Sequence, residues 1–289
     1  MTRSAYIVPA VLALLAAACS DSSPLLPPAA EVVIRGYLYA GEPVTEIRVT
    51  SALSLGSEDT VAPPISDARV TLTKNGTRYE LIPTPNRPGF YNYPGTDLSV
   101  EAGNQFGLEV NYYGKVATAI TNVPPQPQQL DIYPQQLVVV SIGSGGFGEF
   151  RRFFEDDTTA VRVDWSNPEG ASFYVTLENL ETDPQPINAN ILDNFPINFD
   201  GDLGRGFMSR FISVPVSGEE YRITRQNVTY LGRHLVKVYR VNQEYVDLYR
   251  SRSQDTRDLN EPLSNVEDGL GIFTAFNSDS VYLEVVQGE

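Results

Sequence analysis

The feature that most constrains this chain is a two-residue alternation of apolar and polar side chains, cut at short intervals by turn signals. Ala68-Arg69-Val70-Thr71-Leu72-Thr73 alternates in this way, the pattern of a strand with one buried face. Lys74-Asn75-Gly76-Thr77 follows. Asn-Gly closes a two-residue hairpin readily because both residues accept positive φ. The return strand is Arg78-Tyr79-Glu80-Leu81-Ile82.

The same pattern runs on both sides of this hairpin. Residues 32–39 are β-branched and aromatic and end at a Gly41-Glu42-Pro43 turn, and Ile47, Val49 and Ser51 alternate with Glu46, Arg48 and Thr50. Gly89-Phe90-Tyr91, residues 105–110 and residues 116–121 continue it, the last after a Tyr113-Gly114-Lys115 turn. Short strands with frequent turns predict a β-sandwich over residues 31–123. Pro124, Pro125 and Pro127 favour extended polyproline geometry, so residues 124–129 read as a semi-rigid linker.

A second β domain is expected over residues 130–289, with strands at 130–142, 161–165, 173–178, 207–216, 235–241 and 281–286. A Gly-rich break at 143–148 and a long loop at 179–206 interrupt it. Residues 242–253 are the best helix candidate, with Asn242 placed to cap and Tyr245, Leu248 and Tyr249 on one face. The expected fold class is all-β: two β-sandwich domains, the second fibronectin-like with one short helix.

The N-terminus carries a different message. Arg3 precedes an apolar stretch, residues 5–18, ending in Ala16-Ala17-Ala18-Cys19. This is the layout of a secretory signal peptide, and the stretch is shorter than the ~20 residues that span a bilayer. A cysteine directly after small residues resembles a bacterial lipobox, in which the thiol is acylated and becomes the first mature residue. Ala16 departs from the commoner Leu. Residues 1–18 then form the signal peptide and residues 19–30 a polar, Pro-rich tether. Each buried methylene contributes about 0.8 kcal/mol, so several acyl chains on Cys19 would anchor the protein without a spanning helix. The implied localisation is the outer membrane, on its surface or its periplasmic face. Asp21 resembles the acidic signals that send some lipoproteins to the surface.

Charge and composition exclude several partners and chemistries. The formal net charge is −15, which disfavours nucleic acid and anionic headgroups as bulk electrostatic partners. The cysteine is single, so no disulfide forms within the chain and thiol-rich metal sites are excluded.

Four segments resemble a family of Bacteroidota lipoproteins known as domain of unknown function 4249. They are Gly36-Tyr37-Leu38; Asp164-Trp165-Ser166-Asn167-Pro168-Glu169-Gly170 running into Phe173-Tyr174-Val175; Val241-Asn242-Gln243-Glu244-Tyr245-Val246-Asp247-Leu248-Tyr249; and Asn265-Val266-Glu267-Asp268-Gly269-Leu270-Gly271-Ile272-Phe273. The resemblance implies a carboxypeptidase-regulatory-like or immunoglobulin-like N-domain followed by a second β domain. It also implies company, since such genes often lie beside TonB-dependent receptors. It carries over no catalytic residue.

Candidate sites are few. His234 is the only histidine, and it has no Gly-x-Ser-x-Gly elbow nearby, so a structural role is favoured. Glu155-Asp156-Asp157 and the Asp200-Gly201-Asp202 segment are acidic, and Asp200 and Asp202 are weak calcium candidates that miss the EF-hand spacing. No cofactor is expected. Tyr91, Tyr93, Tyr112 and Tyr113 are the candidate ligand-facing aromatics, against the alternative of half-buried sandwich residues. Trp165, alternating with Val163 and Val161, is expected in the core, as are Ile272 and Phe273 behind a Gly-rich structural turn. The expected function is a non-catalytic accessory or binding lipoprotein working with a TonB-dependent receptor. A surface module binding protein or glycan is the alternative, and an acidic-dyad hydrolase a remote one.

Overall fold

The computed structural model describes residues 31–53, 61–139, 160–187, 210–252 and 264–288. The first sandwich begins with β1 (Val32–Tyr39), β2 (Glu46–Ser51), β3 (Arg69–Lys74), β4 (Thr77–Pro83), β5 (Phe90–Asn92), β6 (Gln105–Tyr112) and β7 (Lys115–Asn122). Its hairpins close where the turn chemistry requires. Asn75 and Gly76 have φ of 48° and 87°, and Tyr113 and Gly114 have 48° and 79°. Two successive positive φ values match the twist of the flanking strands, which holds Lys74 opposite Thr77 and Tyr112 opposite Lys115. The alternation then sends Val70, Leu72, Phe106, Leu108 and Val110 into one core with Ile34, Leu38, Ile47 and Val49.

The second half holds β8 (Gln128–Tyr133), β9 (Gln136–Val139), β10 (Ala160–Ser166), β11 (Ser172–Asn179), β12 (Arg210–Ile212), β13 (Glu220–Thr224), β14 (Gly232–Val241), the helix α1 (Gln243–Arg252), β15 (Val266–Glu267) and β16 (Leu270–Gln287). A three-stranded sheet, β13-β10-β8, faces the β11-β14-β16 sheet. Val161, Val163, Trp165, Phe173, Val175, Val236, Val238 and Leu283 form the core between them. The run expected at 130–142 is two strands. Tyr133–Pro134 is a cis peptide, and the chain crosses there from a pairing with β10 to one with β16.

β16 is the main departure from the sequence reading. The expected strand covers 281–286, but the observed one runs for 18 residues. Residues 270–276 lie parallel to β1 in the first sandwich, and residues 276–285 lie antiparallel to β14 in the second. Val266, Phe273 and Ala275 therefore belong to the first core, although they follow strands β8 to β14 of the second domain in sequence. One hydrogen-bonded path of strands, β12-β11-β14-β16-β1-β2-β5-β4-β3-β6-β7-β15, results.

Candidate functional site

The family-like segments are joints of the fold. In register, Gly36 lies opposite Phe273, and a Cβ on Gly36 would stand 2.7 Å from the Phe273 ring. Gly271 has φ of 113°, and a Cβ there would meet the Ile34 carbonyl oxygen at 1.9 Å. Only glycine allows β1 and β16 to approach this closely. The Asn265 side chain fixes the start of β16: its Nδ2 donates to the Phe273 carbonyl and its Oδ1 accepts from the Phe273 N–H, at 2.7 and 2.9 Å. Ile272 and Phe273 are buried, as the sequence predicts.

Asn167 performs a similar task in the second domain. Its Nδ2 donates to the carbonyls of Ala171 and Ser217, both at 2.9 Å, and its Oδ1 accepts from the Ala171 N–H at 2.8 Å. The loop between β10 and β11 is thereby tied to the strand connection at 217–218. Trp165 lies in the adjacent core beside Phe173, with ring centroids 5.3 Å apart.

Helix α1 closes the junction between the domains. Asn242 donates from Nδ2 to Thr121 Oγ1 at 3.1 Å and to the Asn122 carbonyl at 2.8 Å. Glu244 Oε1 accepts from Thr121 Oγ1 at 3.0 Å and from Thr274 Oγ1 at 3.3 Å. The packing face is Tyr245 and Val246, and Tyr249 points to solvent, a correction to the face expected from sequence. Beneath the helix lies an aromatic cluster from both domains: Tyr37 and Tyr39 on β1, Tyr174 on β11, Tyr239 on β14 and Phe276 on β16. Tyr174 and Tyr239 stack with centroids 4.7 Å apart. Burial, reinforced by neighbouring phenols, pushes the Tyr39 and Tyr174 hydroxyls well above the usual tyrosine value. Both stay neutral near pH 7 and are unsuited to act as bases.

A concave feature of the described surface is a groove of about 240 Å³ at the linker. Pro125, Pro127 and Gln128 form one wall, and Pro168, Glu169 and Arg240 the other. An ion pair between Glu169 and Arg240 spans the second wall. The groove presents proline rings and amides together with Ser166, Phe173 and the Glu169–Arg240 pair. His234 stands six residues from Arg240 along β14, about 20 Å at strand rise. It is buried, its Nδ1 lies 3.0 Å from the Gly232 carbonyl, and its Nε2 lies 3.3 Å from Asn179 Nδ2. These contacts fit a neutral ring donating from Nδ1 and accepting at Nε2, and burial lowers its pKa below the ordinary value. Both ring nitrogens are thus engaged within the fold.

The tyrosine candidates do not form one platform. Tyr91 is fully buried and its hydroxyl bridges the Ala68 N–H and the Ile65 carbonyl, so the exposure expected of it is overturned. β5 points Tyr91 inward because its neighbours across the sheet, Ile47 and Pro83, fix the pleat. Tyr93 packs at the core margin against Tyr79 and donates to Asp97 at 2.7 Å. Tyr112 is half-buried, and Tyr113 at the hairpin tip is 76% exposed. Cys19, the 155–157 acids, Asp200 and Asp202 lie outside the described residues. Among the described residues no cluster of three metal-ligating side chains occurs, and no helix is long and apolar enough to cross a membrane.

No curated protein matches the chain. Among solved structures, the chicken CNTN1 FN1–FN3 domains are 14% identical with a TM-score of 0.26, over 74% of this chain and 59% of that one. Titin domains A168–A170 are 11% identical with a TM-score of 0.20, over 89% and 66% of the respective chains. A 1.5-MDa bacterial ice-binding adhesin is 13% identical with a TM-score of 0.21, over 90% and 66%. The chain thus spans 59% of the first of these structures. The strand-built architecture is all-β and sandwich-like, as the alternation predicts. The segments that close the β1–β16 joint, the Asn167 loop and the α1 junction all fall within residues 22–281, the stretch that matches the family described as domain of unknown function (DUF4249), and the chain belongs to that family.

Proposed function

We propose that this protein is a non-catalytic binding lipoprotein of the outer membrane, working beside a TonB-dependent receptor in nutrient uptake. The observation that carries the reading is the N-terminal run ending at Cys19, followed by the polar, Pro-rich tether of residues 20–30. That arrangement suits a folded body held near a membrane by acyl chains. The body itself supports recognition over chemistry. Its one histidine is a buried structural ring, the Tyr39 and Tyr174 phenols are neutral, and its family-like residues are spent on joints. The linker groove and the loop surfaces are left as the faces a partner would meet.

The test is an affinity pull-down of the tagged, lipidated protein from its native outer membrane, with a Cys19→Ala control, read by mass spectrometry. Recovery of a TonB-dependent receptor is the expected result, lost or weakened in the control. Repeated recovery of the protein with no β-barrel partner, while Cys19 still holds it in the membrane, would refute the receptor reading and favour a free-standing surface module.

A further inference from the structure

We propose that the outer face of β1, β2 and β5 is an oxyanion site, which takes a phosphate or sulfate group on Arg35 and Arg48 with Arg87 at its flank. The proposal does not depend on the receptor reading. The sheet register aligns Ile272, Arg35, Arg48 and Phe90 in a row across four neighbouring strands. Directly opposed residues of an antiparallel pair share a face, with Cβ atoms about 4.5–5.5 Å apart, and like charges there destabilise the sheet. A carboxylate between them would relieve the repulsion. Glu46, two residues before Arg48 on β2, is engaged by Arg87 through contacts of 3.1 and 3.5 Å. Among the described residues no carboxylate pairs with Arg35 or Arg48, in a chain with 36 acidic side chains.

Arg48 adds a second, independent observation. Its Nε is buried and has no hydrogen-bond partner. A buried donor left without an acceptor carries a desolvation cost, which turning the guanidinium toward an oxyanion at the sheet surface would remove. The site is also held in shape. The guanidinium carbons of Arg48 and Arg87 lie 5.6 and 3.9 Å from the centroid of the Phe90 ring, which restrains both side chains by cation–π contact. The planar Arg48 guanidinium, held in this way, suits binding of a tetrahedral oxyanion and loses little freedom on binding it, while Arg87 stays paired with Glu46. Phosphate esters of small molecules and phosphate headgroups of lipids offer the same chemistry, and the experiment separates them.

The full chain carrying Cys19→Ala, which removes the proposed acyl anchor, is titrated with inorganic pyrophosphate by calorimetry at low salt. Saturable binding is expected, weakened about tenfold in Arg35→Gln and in Arg48→Gln, the loss of one charge-assisted contact. Arg69→Gln, whose guanidinium is already paired with Glu80, is expected to bind as the parent does. Without ligand, Arg35→Gln is expected to melt no lower than the parent, because it removes a like-charge pair. In a parallel arm, flotation with phosphatidylglycerol–phosphatidylcholine vesicles is compared with phosphatidylcholine alone. Arginine-dependent flotation with the anionic vesicles would assign the site to a lipid headgroup, and pyrophosphate binding without it would assign the site to a free phosphate ester. Absence of saturable pyrophosphate binding, or binding in both glutamine variants equal to the parent's, would overturn the proposal.

Discussion

Among the described glycines, Gly271 has the least room for a side chain. Its positive φ and the 1.9 Å approach of an added methyl to the Ile34 carbonyl combine two penalties, one conformational and one steric. Gly271→Ala is expected to cost about 3 kcal/mol or more, measured by urea unfolding, whereas Gly76→Ala at an open hairpin turn carries the conformational penalty alone. His234 gives a pH dependence whose sign follows from its burial. Its folded pKa is depressed, so the unfolded chain binds the proton more readily. Its contribution is present above the unfolded value of about 6.5 and is lost as pH falls from there toward the folded pKa. Melting temperatures between pH 8 and pH 5 should therefore fall more steeply for the parent than for His234→Gln; equal slopes would show that His234 does not titrate differently on folding.

At the scale of elements, helix α1 depends on its polar contacts with the first domain as much as on its apolar face. Glu244→Ala would leave the Thr121 and Thr274 hydroxyls without their shared acceptor, at an expected cost of about 1–3 kcal/mol in denaturant titration. Glu244→Gln keeps an oxygen acceptor in place and should cost less. These elements also show what the sequence makes legible. The hairpins at Asn75-Gly76 and Tyr113-Gly114 are readable because turn and pairing lie within a few residues. The helix falls within the expected residues 242–253, but its buried face differs from the expected one because Tyr245 and Val246 pack on strands from both domains. The first half of β16 escapes a periodicity argument because it buries Thr274 and Asn277, polar residues whose partners, Glu244 and Pro124, are remote in sequence. The linker groove is hidden for the same reason, because it exists only after distant segments are brought side by side, whereas the Arg35–Arg48 pair needs the register of one hairpin.

At the scale of the whole molecule, β16 runs through two cores that the proline linker and the α1 junction also join. The chain has one tryptophan, Trp165, and it lies in the second core. Its fluorescence therefore reports the second domain while a change is made in the first. Gly36→Ala, which crowds Phe273 in the first core, is expected to shift the Trp165 unfolding midpoint together with the far-ultraviolet transition. A Trp165 transition that stays at its parental midpoint while the circular dichroism splits would show that the domains unfold separately.

The parallel pairing of β1 with β16 also sets how the protein meets mechanical load. A pull between residues 31 and 288 drags the start of β1 and the far end of β16 in opposite directions along their common axis. The seven register pairs from Val33–Leu270 to Tyr39–Phe276 then bear the force together, in shear, instead of parting one at a time as a hairpin does when peeled from its end. A body tethered in a moving fluid at one end and gripped at the other would resist extension at this seam first.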